Sequence, residues 1–414
     1  PQNVTEVWEG YLRDDDYIGL RRRKKRLREK DRMALRSLVF GENVDWVGLF
    51  DFFENRQQSV NDLLMGMDFF DIVSEFYEKE YPQCVFTDML WNLRSMYQPL
   101  FKILKEPVPR ADCYHTVSTG YAGILACKGK SLYSRPLILS EHGIYTRERE
   151  EELIRSTWTG GVYKDIWIRY FYTLSQCTYE MADRVISLFD SARMLQIDIG
   201  CPAEKTQVIP NGVEVAEYAD LPGKDAQDTS ICVGAFLRVV PIKDVKTLLY
   251  AFSAAKKKVP ELKLYLMGPT DENPEYYQEC QELIQTFDIR DVEFTGNIQV
   301  KEYMGKMDMS ILTSISEGQP LTILEAMSAG CPCIATNVGG CRELLYGNGD
   351  GLGQAGLIVP VMNVEKIAAA IVHLAEDSSL REKMGSCGKA RAERFYQKEM
   401  MIRRYQELYK AVMK

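Results

Sequence analysis

From about residue 230 onward, short continuous apolar runs alternate with stretches whose apolar positions recur three and four apart. Ile231-Cys232-Val233-Gly234-Ala235-Phe236 reads as a strand buried on both faces. Val245, Leu248, Leu249, Phe252 and Ala255 then mark one face of a helix running to about Lys258, and Pro260 stops it. The alternation continues with a strand at 262–267 that ends in Gly268-Pro269, a polar amphipathic helix over about 274–287, and a short strand at 292–296. Strands at 309–314, 333–338 and 356–360 follow, with a helix from Pro320 to about Ala329 between the first two. Strands separated by helical stretches build βαβ units and a parallel sheet, so this half is predicted to be a Rossmann-like domain.

The first half is less regular. Residues 1–110 read as mostly helical, with apolar-rich segments near 61–80 and 96–104. Alternation resumes with a strand at 112–119, a small-residue helix from Gly120 to Lys128, a strand at 137–140, a long helical region over about 148–182, and strands at 184–189 and 206–210. A second α/β domain, extended by helices, is expected here. Asn211-Gly212 and the Pro/Gly/Asp-rich stretch 217–229 read as an interdomain linker.

Composition narrows the class. Hydrophobic residues make up 46% of the 414, enough for sizeable cores, and the formal net charge is -8. That balance argues against a general nucleic-acid binder, which needs a basic surface to neutralise phosphates. No apolar run approaches the roughly 18–20 residues that span a bilayer. The eleven cysteines are scattered without metal-ligand spacing, which predicts reduced, structural thiols and a cytosolic setting. Cys331 and Cys333 form a Cys-Pro-Cys that belongs to no Cys/His cluster of metal-ligand spacing, so they are expected to pack instead of chelating. With three histidines in the chain, a histidine-rich metal site is not expected. The basic run 21–30 (RRRKKRLREK) fits a solvated helix face, with contact to a membrane surface or an acidic partner as the alternative. The acidic triplet Asp14-Asp15-Asp16 reads as a loop and not as a metal motif.

Candidate chemistry gathers at strand ends, where open parallel sheets bind ligands. Glu317 sits just past the strand 309–314. Pro320 suits the first turn of the following helix, so free N–H groups near Gly318 to Thr322 would face the crevice and, with the helix dipole, favour a phosphate or diphosphate. Gly318 lets the backbone approach a ligand. Glu325, on the helix, could hold the vicinal hydroxyls of a ribose while Glu317 reaches a second polyol. Taken alone, the two also fit a surface glutamate and a helix-capping one. A second loop shifts the balance: GAFLRVVPIKDVKTL places Arg238 and Lys243 five apart beyond the strand 231–236, where two cations could stabilise a departing diphosphate. Their bland alternative is a pair of solvated basic residues. His142, after the strand 137–140, reads either as a packed or capping histidine or as a group touching the transferred moiety. His115, within the strand 112–119, reads as structural.

Glu317-x7-Glu325, Arg238-x4-Lys243 and the IPNGV turn at 209–213 resemble the retaining glycosyltransferases of family 4, with the GT-B fold. SEHGIYTRERE (140–150), HTVSTGYAGILA (115–126), MGPTDENPEYYQEC (267–280) and the stretch 313–344 are similar to a narrower group, the PelF-like cytosolic glycosyltransferases of the Pel exopolysaccharide system in bacteria. The resemblance covers roughly residues 110–414. It implies a GT-B architecture: two Rossmann-like domains facing across a cleft, an acceptor-side domain over 1–215, a nucleotide-sugar-binding domain over 216–397, and a helix, 398–414, packing back on the first. Arg238 and Lys243 would bind the donor diphosphate, Glu317 the donor hexose and Glu325 the ribose. The backbone at Gly318, Gln319, Pro320 and Leu321 would meet sugar and phosphates, and His142 would lie near donor sugar and acceptor.

The implied substrates are a UDP-hexose, UDP-glucose-like, and a growing exopolysaccharide as glycan acceptor, with no metal or other cofactor. A membrane-embedded synthase complex is a candidate partner, at the inner face of the plasma membrane. Family members begin with a strand and a glycine-rich loop that this chain does not show, so the first sheet is expected to lack its leading strands and the sequence to be truncated at its amino terminus. A catalytically impaired nucleotide-sugar-binding subunit, or a nucleotide-sugar epimerase or hydrolase on the same fold, stays open as an alternative.

Overall fold

A computed structural model describes residues 3–7, 9, 26–55, 59–225 and 227–414. The chain forms two compact units. One comprises residues up to Ile186 with Met194–Gln207 and Ala411–Lys414, the other Ser187–Arg193 with Val208–Lys410.

The first unit opens with a helical layer: α1 (Glu29–Phe40), α2 (Trp46–Glu54), α3 (Val60–Leu64), α4 (Met67–Glu80) and α5 (Phe86–Lys105). Leu35, Leu49, Phe50, Phe69 and Phe101 are fully buried there. Phe40 meets Phe76 edge-on at 5.4 Å, and Phe53 lies 5.0 Å from Phe101. Asp14–Asp16 and residues 21–25 of the basic run lie outside the described residues. The rest of that run is paired within the layer: Arg26 with Asp68 and Asp71, Arg28 with Asp31, Lys30 with Asp51.

Arg36 forks onto Glu75 at 3.0 and 2.7 Å, and Lys79 adds a third contact at 2.9 Å. The Arg36 hydrogen bonds, then that of Lys79, hold the Glu75 carboxyl down at about 2. A depressed folded-state value stabilises fully above the unfolded carboxyl value of about 4.3, and that stability is lost as pH falls toward 2. Glu75→Gln is therefore expected to lower the melting temperature at pH 7, with the gap to the parent closing as melts are repeated down to pH 2.5.

The sheet of this unit has the order β1-β2-β3-β4, built from β1 (Tyr114–Thr116), β2 (Leu137–Glu141), β3 (Arg184–Ser187) and β4 (Thr206–Val208). Among the described residues no strand precedes Tyr114. The connecting helices are α6 (Tyr121–Tyr133), α7 (Tyr145–Arg155), α8 (Val162–Met181) and α9 (Asp190–Asp198). The long helical region read over about 148–182 consists of α7 and α8. It is broken before Val162 because Gly160-Gly161 interrupts it, with Gly161 at φ 55°, outside the helical region.

In the second unit the strands are β5 (Ile231–Phe236), β6 (Leu262–Met267), β7 (Val292–Gly296), β8 (Met309–Leu312), β9 (Cys333–Thr336) and β10 (Gly356–Val359). They lie in the order β7-β6-β5-β8-β9-β10, all neighbours parallel. This is the doubly wound order 3-2-1-4-5-6, whose direction reverses between β5 and β8. The helices are α10 (Val245–Lys256), α11 (Pro274–Thr286), α12 (Val300–Met304), α13 (Leu321–Ser328), α14 (Cys341–Tyr346), α15 (Val364–Glu376), α16 (Ser378–Phe395) and α17 (Lys398–Val412).

One face of the sheet buries Leu248, Phe252, Ile371 and Leu374, the other Leu324, Met327, Leu344 and Leu345. Cys331 precedes β9 and falls in a different apolar cluster from Cys333, the first residue of that strand, and burial pushes the Cys333 thiol up to about 12. The cysteines are all free.

The stretch read as a linker is partly built into this unit. Val213 pairs with Gln397 in a parallel bridge, its N–H donating to Tyr396 O at 2.8 Å, and Val213, Val215 and Tyr218 are buried. Only a glycine fits at 212, because a Cβ there would stand 2.7 Å from the backbone of Gln397 and Lys398. The Asn-Gly signal thus marks a backbone crossing.

Candidate functional site

The reversal between β5 and β8 puts two loops side by side at the carboxyl ends of the strands, and each carries predicted site residues. The loop after β5 turns through a short helix at Pro241–Lys243 and reaches α10 through Asp244, which takes φ 49° and accepts the Thr247 N–H. Asp tolerates this left-handed position better than most residues because its short side chain bonds locally. The loop after β8 is fastened to it: Ile315 N donates to Ile242 O at 2.9 Å, and the Thr313 hydroxyl donates to Lys243 O at 3.0 Å.

These bonds bring Lys243 and Glu317, 74 positions apart in sequence, into an ion pair at 2.5 Å. Both side chains are nearly out of water, 16% and 12% exposed, so the charges are weakly screened. Arg238 sits at the mouth of the same loop, half-exposed, and donates to Glu272 at 2.8 Å.

A third loop, after β9, closes over the second. Gly340 N donates to Gly318 O at 2.8 Å. Gly339 has φ 49°, and a Cβ there would lie 2.1 Å from Glu317 O and 2.4 Å from Gly318 O. The Val338-Gly339-Gly340 run was visible in the sequence, but its role as a clamp on the Glu317 backbone was not. Gln319 is buried, and its side-chain carbonyl accepts the Asn211 N–H at 2.7 Å. Pro320 is the residue before α13, one position earlier than expected, with φ -70° and ψ 122°. No side chain caps α13, so its first-turn N–H groups have neither intrahelical nor side-chain partners.

Glu325 lies in the second turn of α13, half-buried. Burial raises its pKa, opposed first by the Tyr218 hydroxyl that bonds it and then by Lys301. Lys301 also lies over the Tyr218 ring at 5.8 Å and pairs with Glu217 at 2.6 Å. The 3-10 turn Val215–Tyr218 gave no sequence signal for this arrangement, since it depends on how the chain after the Asn-Gly crossing lies against α13.

In the other unit, His142 is exposed just beyond the carboxyl end of β2. The preceding Glu141 is fully buried and satisfied by Tyr179 at 2.7 Å, Gln196 at 3.0 Å, and contacts to Thr119 and the Tyr145 N–H. His115 shares a 2.8 Å hydrogen bond with the Ser140 hydroxyl; partial burial, then His142, lowers its pKa. Among the described residues no group of three or more His, Cys, Asp or Glu is arranged to hold a metal ion.

A cavity of about 510 Å³ in the second unit shares only Gln319 with these loops. One wall is the turn 188–190, another the glycine-rich 347–350 segment, and a third the end of α16 with Arg404 of α17. Glu343 ties the first wall down by accepting the N–H groups of Asp190 and Ser191 at 2.9 and 2.8 Å. Neither Glu343 nor this cavity was anticipated from sequence.

Two parallel α/β sheets, the second in doubly wound order, give the chain a GT-B-type fold. Residues 227–377 match the family described as Glycosyl transferases group 1, and residues 1–204 match Domain of unknown function (DUF3492). The chain is 28% identical over 240 residues to D-inositol 3-phosphate glycosyltransferase of Kineococcus radiotolerans, covering 53% of this chain and 55% of that protein. It is 29% identical over 175 residues to N-acetyl-alpha-D-glucosaminyl L-malate synthase of Bacillus anthracis, 42% of this chain and 43% of that one. The chain thus spans about half the length of these relatives. The crystal structure of Anabaena HepE in complex with UDP and glucose superposes with a TM-score of 0.59 at 21% identity, covering 72% of this chain and 78% of that one.

Proposed function

We propose that this protein is a retaining glycosyltransferase that moves a hexose from a UDP-sugar to a growing exopolysaccharide, as PelF-like enzymes of family 4 do. The observation that carries the reading is the Lys243–Glu317 pair at the strand-order reversal, beside the uncapped start of α13. A diphosphate laid across that helix end meets free N–H groups and the positive end of the dipole. Lys243 then exchanges Glu317 for phosphate oxygens, Arg238 adds a second cation, and Glu317 is released to accept hydroxyls of the donor hexose. Gly318, Gln319, Pro320 and Leu321 line the approach with backbone. Glu325, steadied by Tyr218, takes the ribose hydroxyls.

As UDP departs, two fixed cations and the helix end stabilise the charge that develops on it, which removes the need for a metal. The acceptor hydroxyl attacks from the face that UDP leaves, and its proton passes to an oxygen of the departing diphosphate. The HepE complex, which holds UDP and glucose on the same fold, supports the choice of donor. No helix among the described residues is long and apolar enough to cross a membrane. A membrane-embedded synthase complex at the inner face of the plasma membrane is the proposed partner.

Calorimetry of UDP and UDP-glucose on this chain with EDTA present tests the reading. Metal-independent binding that Arg238→Ala weakens is expected; no binding of either ligand sinks it. Glu325→Ala should weaken UDP about tenfold, the effect of losing hydrogen bonds to a charged group. UDP binding without release of UDP from UDP-glucose in the presence of acceptor would mark a binding subunit in place of an enzyme.

A further inference from the structure

We infer that the 510 Å³ cavity walled by Phe189, Tyr396 and Arg404 binds a neutral saccharide of one or two pyranose rings. The volume lies within the range of small-ligand sites, about 300–1,000 Å³. Its shape comes from turns and helix ends that the chain holds rigidly. Glu343 pins the turn bearing Phe189, a Cβ at Gly340 would stand 3.1 Å from that ring, and Arg391 anchors the glycine-rich wall through Asp350.

The chemistry of the lining selects among ligand classes. Phe189, Phe395 and Tyr396 present aromatic surface, against which the C–H face of a pyranose buries apolar area. Asp190, Glu343 and Asp350 place three carboxylates on the lining. Arg193 balances the first at 2.8 Å, backbone N–H groups hold the second, and Arg391 holds the third, so each keeps lone pairs free for hydroxyl donors. Arg404 has no carboxylate within salt-bridge distance among the described residues, and the exposed Asn348 amide is a second donor. The Tyr396 hydroxyl stands among Arg391, Glu343, Asp350 and Arg404, and burial pushes its pKa up to about 12, so it remains a neutral donor and acceptor.

A nucleotide or sugar phosphate would bring its charge toward three carboxylates with one unmatched cation to receive it. A purely apolar ligand would strand those carboxylates and the guanidinium without water. A neutral polyol satisfies both kinds of group and uses the aromatic walls. The inference does not rest on the donor reading, because the cavity shares only Gln319 with the donor loops.

Saturation-transfer NMR and calorimetry with methyl α-glucopyranoside, methyl α-galactopyranoside and maltose test it, with glucose 6-phosphate as the anionic comparison and UDP as an internal reporter of the donor loops. Binding of at least one neutral sugar is expected, insensitive to saturating UDP and weakened about tenfold by Arg404→Ala or Asn348→Ala, both on exposed or half-exposed positions that leave the core intact. Tighter binding of glucose 6-phosphate than of glucosides, displacement of the sugar by UDP, or sugar binding unchanged in both variants would overturn it, as would the absence of any sugar binding. UDP binding in the same samples reports the donor loops separately, so the two readings fail independently. If the bound sugar is lengthened when UDP-glucose is added, it is the end of an acceptor; if it is recovered unchanged, it is a free effector, and both results support the site.

Discussion

Lys243→Ala is expected to reduce transfer from UDP-glucose by roughly 10²–10³-fold, the usual cost of removing one preorganised charge-stabilising group. Two effects add. The diphosphate loses a cation that the Ile315–Ile242 and Thr313–Lys243 bonds hold in place before any ligand arrives. Glu317, only 12% exposed, is also left without its counter-charge, and a negative group beside the helix end repels the donor. The loss should therefore appear in both UDP affinity and turnover. Glu317→Gln separates the terms: it preserves shape and frees Lys243 for the phosphates, so UDP should bind as well or better while transfer falls. Steady-state rates with UDP calorimetry on both variants check this. Wild-type turnover in either variant would remove the pair from the mechanism.

The largest stability effect is expected at Arg391. Its guanidinium, 1% exposed, bonds Asp350 through Nε at 2.5 Å and Nη2 at 3.0 Å, and reaches the carbonyls of Leu345 at 3.0 Å and Gly353 at 2.5 Å. That bonding holds the Asp350 carboxyl below the usual carboxylate range. Arg391→Met leaves a carboxylate and two or more carbonyls without partners in the interior, a loss of about 3–5 kcal/mol. For a unit of this size that corresponds to a melting transition lower by about 10 °C. Differential scanning calorimetry should find the shift in the transition of the second unit, and a melting temperature within 2 °C or so of the parent would contradict the account. Arg391→Lys should recover only part of the loss, since an ammonium keeps the charge but cannot form the planar fork.

Much of the second unit was legible because its central strands are buried on both faces. Such strands read as unbroken apolar runs, and ICVGAF and LKLYLM coincide with β5 and β6 residue for residue. The first unit was less legible. Its helical layer has apolar positions facing several neighbours, which blurs periodicity, and the break before α8 depends on a glycine conformation. In the site, Glu317, Lys243 and Arg238 stood out because cations and carboxylates beyond strand ends are recognisable from local context. Glu272, Tyr218, Gly339 and Glu343 did not, since each acts on a partner contributed by a distant segment.

What the sequence by itself determined is the set of elements and the position of charged residues relative to strand ends, both carried by local periodicity and turn residues. That β5 lies beside β8, so that Lys243 closes on Glu317, was decided by the tertiary structure, as was the meeting of Glu343 with the Asp190 turn 153 positions away. Neighbouring strands in a parallel sheet are joined by crossovers of variable length, and their order follows from which faces the helices can bury together. That is a property of the whole packed unit, and no window of sequence contains it.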